Sequence, residues 1–165
     1  MNTLESTPRI SWDTFERSIP AAPAALRALG KAVDDSGLDK RLTELVKLRV
    51  SQINGCAYCI QYHLNQARRL GVPEPRLDLV AAWRDAGVFT QRECTALAWA
   101  EALTGMAGSH VPDSAFDALQ PLFHEVEIVA LTTAIATINA WNRIAGTLRF
   151  TPPIPSQTHA SGSAA

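Results

Sequence analysis

Asn54-Gly55, followed at once by Cys56-Ala57-Tyr58-Cys59 and then His63, constrains this chain more than any other stretch. Both Asn and Gly tolerate positive φ, so the step ends whatever element precedes it. The spacing predicts one helix from Leu42 to Ile53, a break at Asn54-Gly55, and a new helix opening at Cys56 or Ala57. At ~100° per residue, Cys56 and Cys59 lie roughly 60° apart, and Cys59 and His63 roughly 40° apart, so the three share a face. Two thiols that close form and break a disulfide with little backbone motion, which is a redox-centre signature. Cys56 at a helix N-terminus would meet unpaired N–H groups that favour a thiolate. Glu44 lies twelve residues earlier. If the two helices fold back on each other, its carboxylate reaches His63.

The remaining pattern is helical throughout. Ser11 is a candidate N-cap for a short turn from Trp12 to Arg17. Pro23 to Val33 is rich in Ala and Leu, and Asp39 caps the helix that carries Glu44. Cys56 to Leu70 stops at Gly71-Val72-Pro73, and Glu74 to Trp83 reads as a further helix. Thr90-Gln91-Arg92-Glu93 is a capping box opening a helix to about Thr104. Pro112 to Leu119 is short, and Glu125 to Arg149 is the longest candidate. Residues 1–150 therefore read as one all-α domain, a helical bundle. Residues 151–165, rich in Pro, Ser and Ala, read as a disordered tail.

Composition narrows the function classes. An apolar fraction of 47% over 165 residues supports a sizeable core, and a net charge of −1 gives no reason to expect nucleic acid or a membrane surface as partner. The polar N-terminal residues do not read as a signal peptide, and no apolar run approaches the ~20 residues of a membrane span. Three cysteines are too few for a disulfide scaffold. They favour a reducing compartment, hence a cytoplasmic protein with a reactive pair.

Several chemistries fit the residues alone. Cys56 and Cys59 can be two small buried hydrophobes. They can bind zinc with His63 and Glu44, although a second Cys or His pair at the usual spacing is missing. They can form a redox-active dithiol with His63 as base. Cys94 has no base at helical spacing and reads as a structural thiol. His110, His124 and His159 carry no chemistry, and Trp83, Trp99 and Trp141 read as core or interface packing.

Glu44, Cys56, Cys59 and His63 together form Glu-x11-Cys-x-x-Cys-x3-His. This pattern resembles the core of the AhpD-like alkylhydroperoxidases in the carboxymuconolactone decarboxylase superfamily. The segment Leu48-Arg49-Val50-Ser51-Gln52-Ile53-Asn54-Gly55-Cys56-Ala57-Tyr58-Cys59 is similar to that family's central stretch. Ile138-Asn139-Ala140-Trp141-Asn142-Arg143 resembles a motif on a late helix of the same group. The resemblance is strong from about 42 to 103 and is supported again near Trp141.

It implies an all-helical AhpD-like fold, a trimer or hexamer, and a thiol peroxidase without cofactor or metal. Its substrate would be a hydroperoxide, and its reductant a lipoylated or thioredoxin-like dithiol protein. Cys59 would attack peroxide, Cys56 would resolve, and Glu44 and His63 would relay protons. The well-known peroxidase branch has histidine between its cysteines, where this chain has Tyr58. A tyrosine donates a hydrogen bond but is a poor base near neutral pH, which makes Tyr58 an auxiliary donor at most. The alternatives on the same fold are a CxxC disulfide oxidoreductase or redox sensor, a lactone decarboxylase, and an interaction protein. The decarboxylase branch generally lacks the cysteine pair. Self-assembly has a second motive: a late helix apolar nearly all round needs another surface to cover it.

Overall fold

The computed structural model describes residues 7–155, and within them eight α-helices and one 3-10 turn make up the regular structure. The helices are α1 Trp12–Ser18, α2 Ala21–Asp35, α3 Lys40–Ile53, α4 Ala57–Arg69, α5 Glu74–Leu79, α6 Gln91–Thr104, α7 Asp113–Asp117 and α8 Glu125–Leu148. The all-α reading holds. No helix among the described residues is long and apolar enough to cross a membrane.

The sequence places the caps. Ser11 accepts the Thr14 N–H, and Asp39 accepts the Arg41 N–H, each satisfying a donor that the helix start leaves open. The Thr90/Glu93 capping box is reciprocal, with the Glu93 carboxylate accepting from the Thr90 backbone at 2.8 Å. One expectation needs a refinement. The helix expected over Glu74 to Trp83 ends at Leu79, and Val80–Ala82 continue as the 3-10 turn. That tighter pitch keeps Val80 and Trp83 in the core.

The core is organised around α3, which packs against α4, α6 and α8. Leu45, Val46, Leu48 and Val50 are fully buried on it, so apolar residues cover more than one face. Removing such a side chain, as in Leu45→Ala, costs about 2–5 kcal/mol. Because much of α3 is enclosed, its buried polar residues Thr43, Glu44 and Ser51 need partners inside the protein. Helix α8 crosses the bundle and buries Ile128, Leu131, Ile135 and Ile138. Its opposite face leaves Val126 65% and Val129 62% exposed.

The helix ending at Ile53 is followed by Gly55 at φ 65°, a left-handed turn suited to glycine. The next helix runs antiparallel to α3. The side chain of Arg41, at the start of α3, donates to the Leu70 carbonyl at the end of α4 (3.0 Å). Residues 151–155 have no regular structure, and the Pro153 carbonyl accepts a hydrogen bond from Asn65 (2.8 Å). The rest of the expected tail, 156–165, lies outside the described residues.

Candidate active site

Cys56 is the N-cap of α4, and its Sγ accepts the Cys59 N–H at 3.3 Å. The sulfur thus stands where a serine or aspartate oxygen usually caps a helix. Cys59 lies one turn in, and the two sulfurs are joined as a disulfide across Cα atoms 5.3 Å apart. Both cysteines are buried, and Cys94 is free and half-buried. Burial, with the nearby Glu93 charge, pushes the Cys94 thiol up, which makes it a poor nucleophile.

The helices do fold back on each other, and the antiparallel turn brings Glu44 to His63. Glu44 Oε2 and His63 Nδ1 are 2.6 Å apart, and both residues are buried. The other carboxylate oxygen accepts from Lys47 Nζ at 2.9 Å. Burial alone would raise the Glu44 pKa. The hydrogen bond and charge of His63, with the charge and hydrogen bond of Lys47, outweigh it and hold Glu44 below its ordinary value. Glu44 is therefore a fixed anion that orients the imidazole through Nδ1 and leaves Nε2 for other work. Among the described residues, His63 makes no hydrogen bond to either sulfur in the disulfide state.

Glu44, Lys47, Cys59 and His63 all line one cavity of about 550 Å³. Cys56 does not line it; the α8 backbone passes beside that residue at Gly146. Tyr58 forms part of the wall, stacked between Trp12 and Tyr62 with ring centroids 6.4 and 6.2 Å away. Burial pushes its phenol up and Tyr62 adds to this, against an opposing pull from Arg27. The phenol stays protonated at neutral pH and is a donor, not a base.

Behind the cysteines lies a second cluster, made of neutral amides. The Asn54 amide donates to Asn139 Oδ1 (3.0 Å) and Asn142 Oδ1 (2.9 Å). Asn142 donates to Ser51 Oγ (3.1 Å), and Ser51 donates to the Lys47 carbonyl (2.7 Å). This network ties the Asn54-Gly55 break to α8 and gives the Asn139–Arg143 motif a positioning role. The sulfurs bond each other, Glu44 is engaged by His63 and Lys47, and no group of three His, Cys, Asp or Glu side chains among the described residues is placed to hold a metal ion.

Two contributors were missed from sequence. Lys47 had a signal, an opposite charge three residues after Glu44 on one helix. Trp12 had none, because nothing in its short helix indicates that it stacks on Tyr58 and lies 6.0 Å from the Trp141 ring.

Known proteins resemble this chain in sequence and fold. The sequence model of the carboxymuconolactone decarboxylase family matches residues 20–102. The uncharacterised protein YdfG of Bacillus subtilis (strain 168) is 34% identical over 125 residues, 76% of this chain and 85% of YdfG. A solved protein of unknown function from Agrobacterium tumefaciens, provisionally assigned as the antioxidant defence protein AhpD, is 40% identical with a TM-score of 0.84. That match covers 90% of this chain and 100% of the other. An alkylhydroperoxidase AhpD core structure, an uncharacterised peroxidase-related protein from Ralstonia eutropha JMP134, gives a TM-score of 0.73 at 24% identity. It covers 84% of this chain and 74% of its own, a likeness of fold alone.

Proposed function

This chain belongs to the carboxymuconolactone decarboxylase family, in its AhpD-like group, and we propose that it is a thiol-dependent hydroperoxide reductase. The observation that carries this reading is the convergence of Cys59, His63 and Glu44 on one cavity, with Glu44 bonded to His63 at 2.6 Å.

In the reduced protein His63 takes the Cys59 thiol proton, and Glu44 stabilises the imidazolium that results. The thiolate attacks one peroxide oxygen, the O–O bond breaks, and the alkoxide leaves with the proton returned by His63. The products are an alcohol and Cys59 sulfenic acid. The Cys56 thiol then condenses with that sulfenic acid, releasing water and forming the Cys56–Cys59 disulfide. An incoming dithiol restores the pair with two electrons and two protons and leaves as its own disulfide. Tyr58 donates a hydrogen bond to the departing oxygen.

Access to the sulfurs supports this reading over a plain disulfide exchanger. Cys56 is 1% and Cys59 3% exposed, so a broad protein surface does not reach them, whereas a small hydroperoxide entering the cavity meets Cys59. The reductant suited to the same route is a thin dithiol arm, such as a lipoyl group. We extend the proposal to self-assembly into a trimer or hexamer that covers Val126 and Val129 on α8. Light scattering that reports a monomer at micromolar concentration would remove this part.

The test is consumption of cumene hydroperoxide with a dithiol reductant. Cys59→Ser abolishes turnover, while Cys56→Ser permits one equivalent of peroxide reduction and blocks recycling. A Cys59→Ser protein that still turns over refutes the reading.

A further inference from the structure

The cavity is far larger than hydrogen peroxide requires. Its volume of about 550 Å³ falls in the range of organic-ligand sites, where a water's share is only about 30 Å³. Its shape follows from the α3/α4 hairpin. Cys59, His63, Gln66 and Arg69 recur at helical spacing on α4, and all four line the cavity. At 1.5 Å per residue, the ten steps from Cys59 to Arg69 rise about 15 Å. On α3 the lining residues are Lys40, Glu44 and Lys47. Because the helices are antiparallel, Lys47 and Glu44 stand by the disulfide and Lys40 stands by Arg69 and Leu70.

The two ends differ in chemistry. The near end holds the reactive sulfur with Glu44 and His63. The far end holds Lys40 and Arg69, with Asp34 beside Lys40. Five basic side chains line the cavity against two carboxylates, Asp34 and Glu44. Four of the five have acidic partners: Arg27 with Glu16, Lys31 with Asp35, Lys40 with Asp34 and Lys47 with Glu44. Arg69 has none among the described residues. Much of the remaining lining is apolar, including Leu26, Val33, Ile138 and the rings of Tyr62 and Trp141.

We propose that the cavity selects an amphipathic organic hydroperoxide bearing a carboxylate, with Arg69 pairing with that carboxylate about 15 Å from Cys59. This rests on the peroxidase reading for the reaction and on the cavity alone for the ligand. A fatty-acid hydroperoxide has the required form: an anionic head, an apolar chain and a peroxide partway along it. Asp34 among the far-end cations favours a monoanion over a dianionic phosphate. The guanidinium also suits a carboxylate, which it meets with two parallel N–H donors.

The test separates ligand choice from chemistry. Dodecanoate and methyl dodecanoate are titrated into the full-length protein and followed by tryptophan fluorescence, since Trp12 and Trp141 line the cavity. Dodecanoate binds about fivefold more tightly than its ester, the upper range for one solvent-accessible ion pair. Arg69→Gln brings the two affinities together. Arg68→Gln, whose guanidinium pairs with Glu74 and does not line the cavity, leaves the preference intact. Equal affinities in the wild type, binding of neither compound, or a preference that survives Arg69→Gln would each overturn the proposal. In parallel, tert-butyl hydroperoxide, which has no carboxylate, is consumed at the same rate by Arg68→Gln and wild type. If the wild type leaves that peroxide untouched, the peroxidase reading falls while the titration still decides the carboxylate site.

Discussion

Glu44 and Glu101 are both carboxylates turned inward with multiple partners, yet they are built for opposite ends. Glu101 accepts from Arg49 Nε (2.7 Å) and Trp83 Nε1 (2.9 Å) and pairs with Arg84 at 2.6 Å. Those guanidiniums stay charged and the indole stays neutral at any pH where the protein folds. Burial pushes Glu101 up, but the hydrogen bonds from Arg84, Trp83 and Arg49 win and hold it low. Nothing in that cluster can move a proton, and it does not line the main cavity. Glu44 instead shares its charge between Lys47 and the His63 imidazole, a side chain that can both accept and donate a proton. A lowered carboxylate pKa is common to both. What sets Glu44 apart is a partner that can carry a proton and an open cavity, not the shift itself.

The widest separation between the clusters is expected in turnover. His63→Gln lowers hydroperoxide reduction by about 10²-fold, the low end for a general base. Glu101→Gln leaves the rate per folded molecule unchanged. Glu44→Gln falls between, losing roughly tenfold, since it removes one charge-assisted hydrogen bond worth about 1.5 kcal/mol. Steady-state rates corrected for folded fraction check all three. Full activity in both His63→Gln and Glu44→Gln would erase the distinction and leave the CxxC as a disulfide exchanger.

Stability reverses the emphasis. Glu101→Gln leaves Arg49, whose side chain is only 18% exposed, without its anion, and costs about 2 kcal/mol. The urea midpoint measures this directly. A loss of peroxidase rate on the scale of Glu44→Gln, in Glu101→Gln protein that is fully folded, would show that the structural cluster also supports the reaction.

How much of this was readable in advance depended on sequence distance. The Asn54-Gly55 break, the cap at Cys56 and the Glu44–His63 meeting depend on one hairpin, so local turn chemistry and helical spacing carried them. The cavity draws Trp12 from α1, Arg27 from α2 and Trp141 from α8. Periodicity shows that a helix face is covered but not what covers it, so those walls were invisible. Asn139 and Asn142 stood out only by resemblance. Their task, holding Asn54 and Ser51, exists only once α8 packs on α3. The Glu101 cluster left no trace for a related reason. Trp83 read only as packing, and it is the packing of α3, α6 and the turn after α5 that joins it with Arg49 and Arg84 to Glu101.

The smallest expected effect, and the one that asks whether charge itself distinguishes the clusters from neutral polar packing, is in acid. Both carboxylates are held below the ordinary value of 4.5 in the folded protein. Between that value and the lowered one, the unfolded chain binds more protons than the folded chain, so stability rises with pH across the window. The contribution of each carboxylate is therefore fully present above 4.5 and is lost as pH falls through its lowered value. Glutamine cannot titrate. Glu44→Gln and Glu101→Gln should both be less stable than wild type at neutral pH, and both should fall away less steeply in acid. The three urea-midpoint curves then converge as pH drops. Because Glu101 faces permanent cations, its gap closes only when the carboxylate itself is protonated. A gap between wild type and Glu101→Gln that stays constant into strong acid would show that the cluster is held by hydrogen-bond shape and packing, with the carboxylate charge contributing nothing.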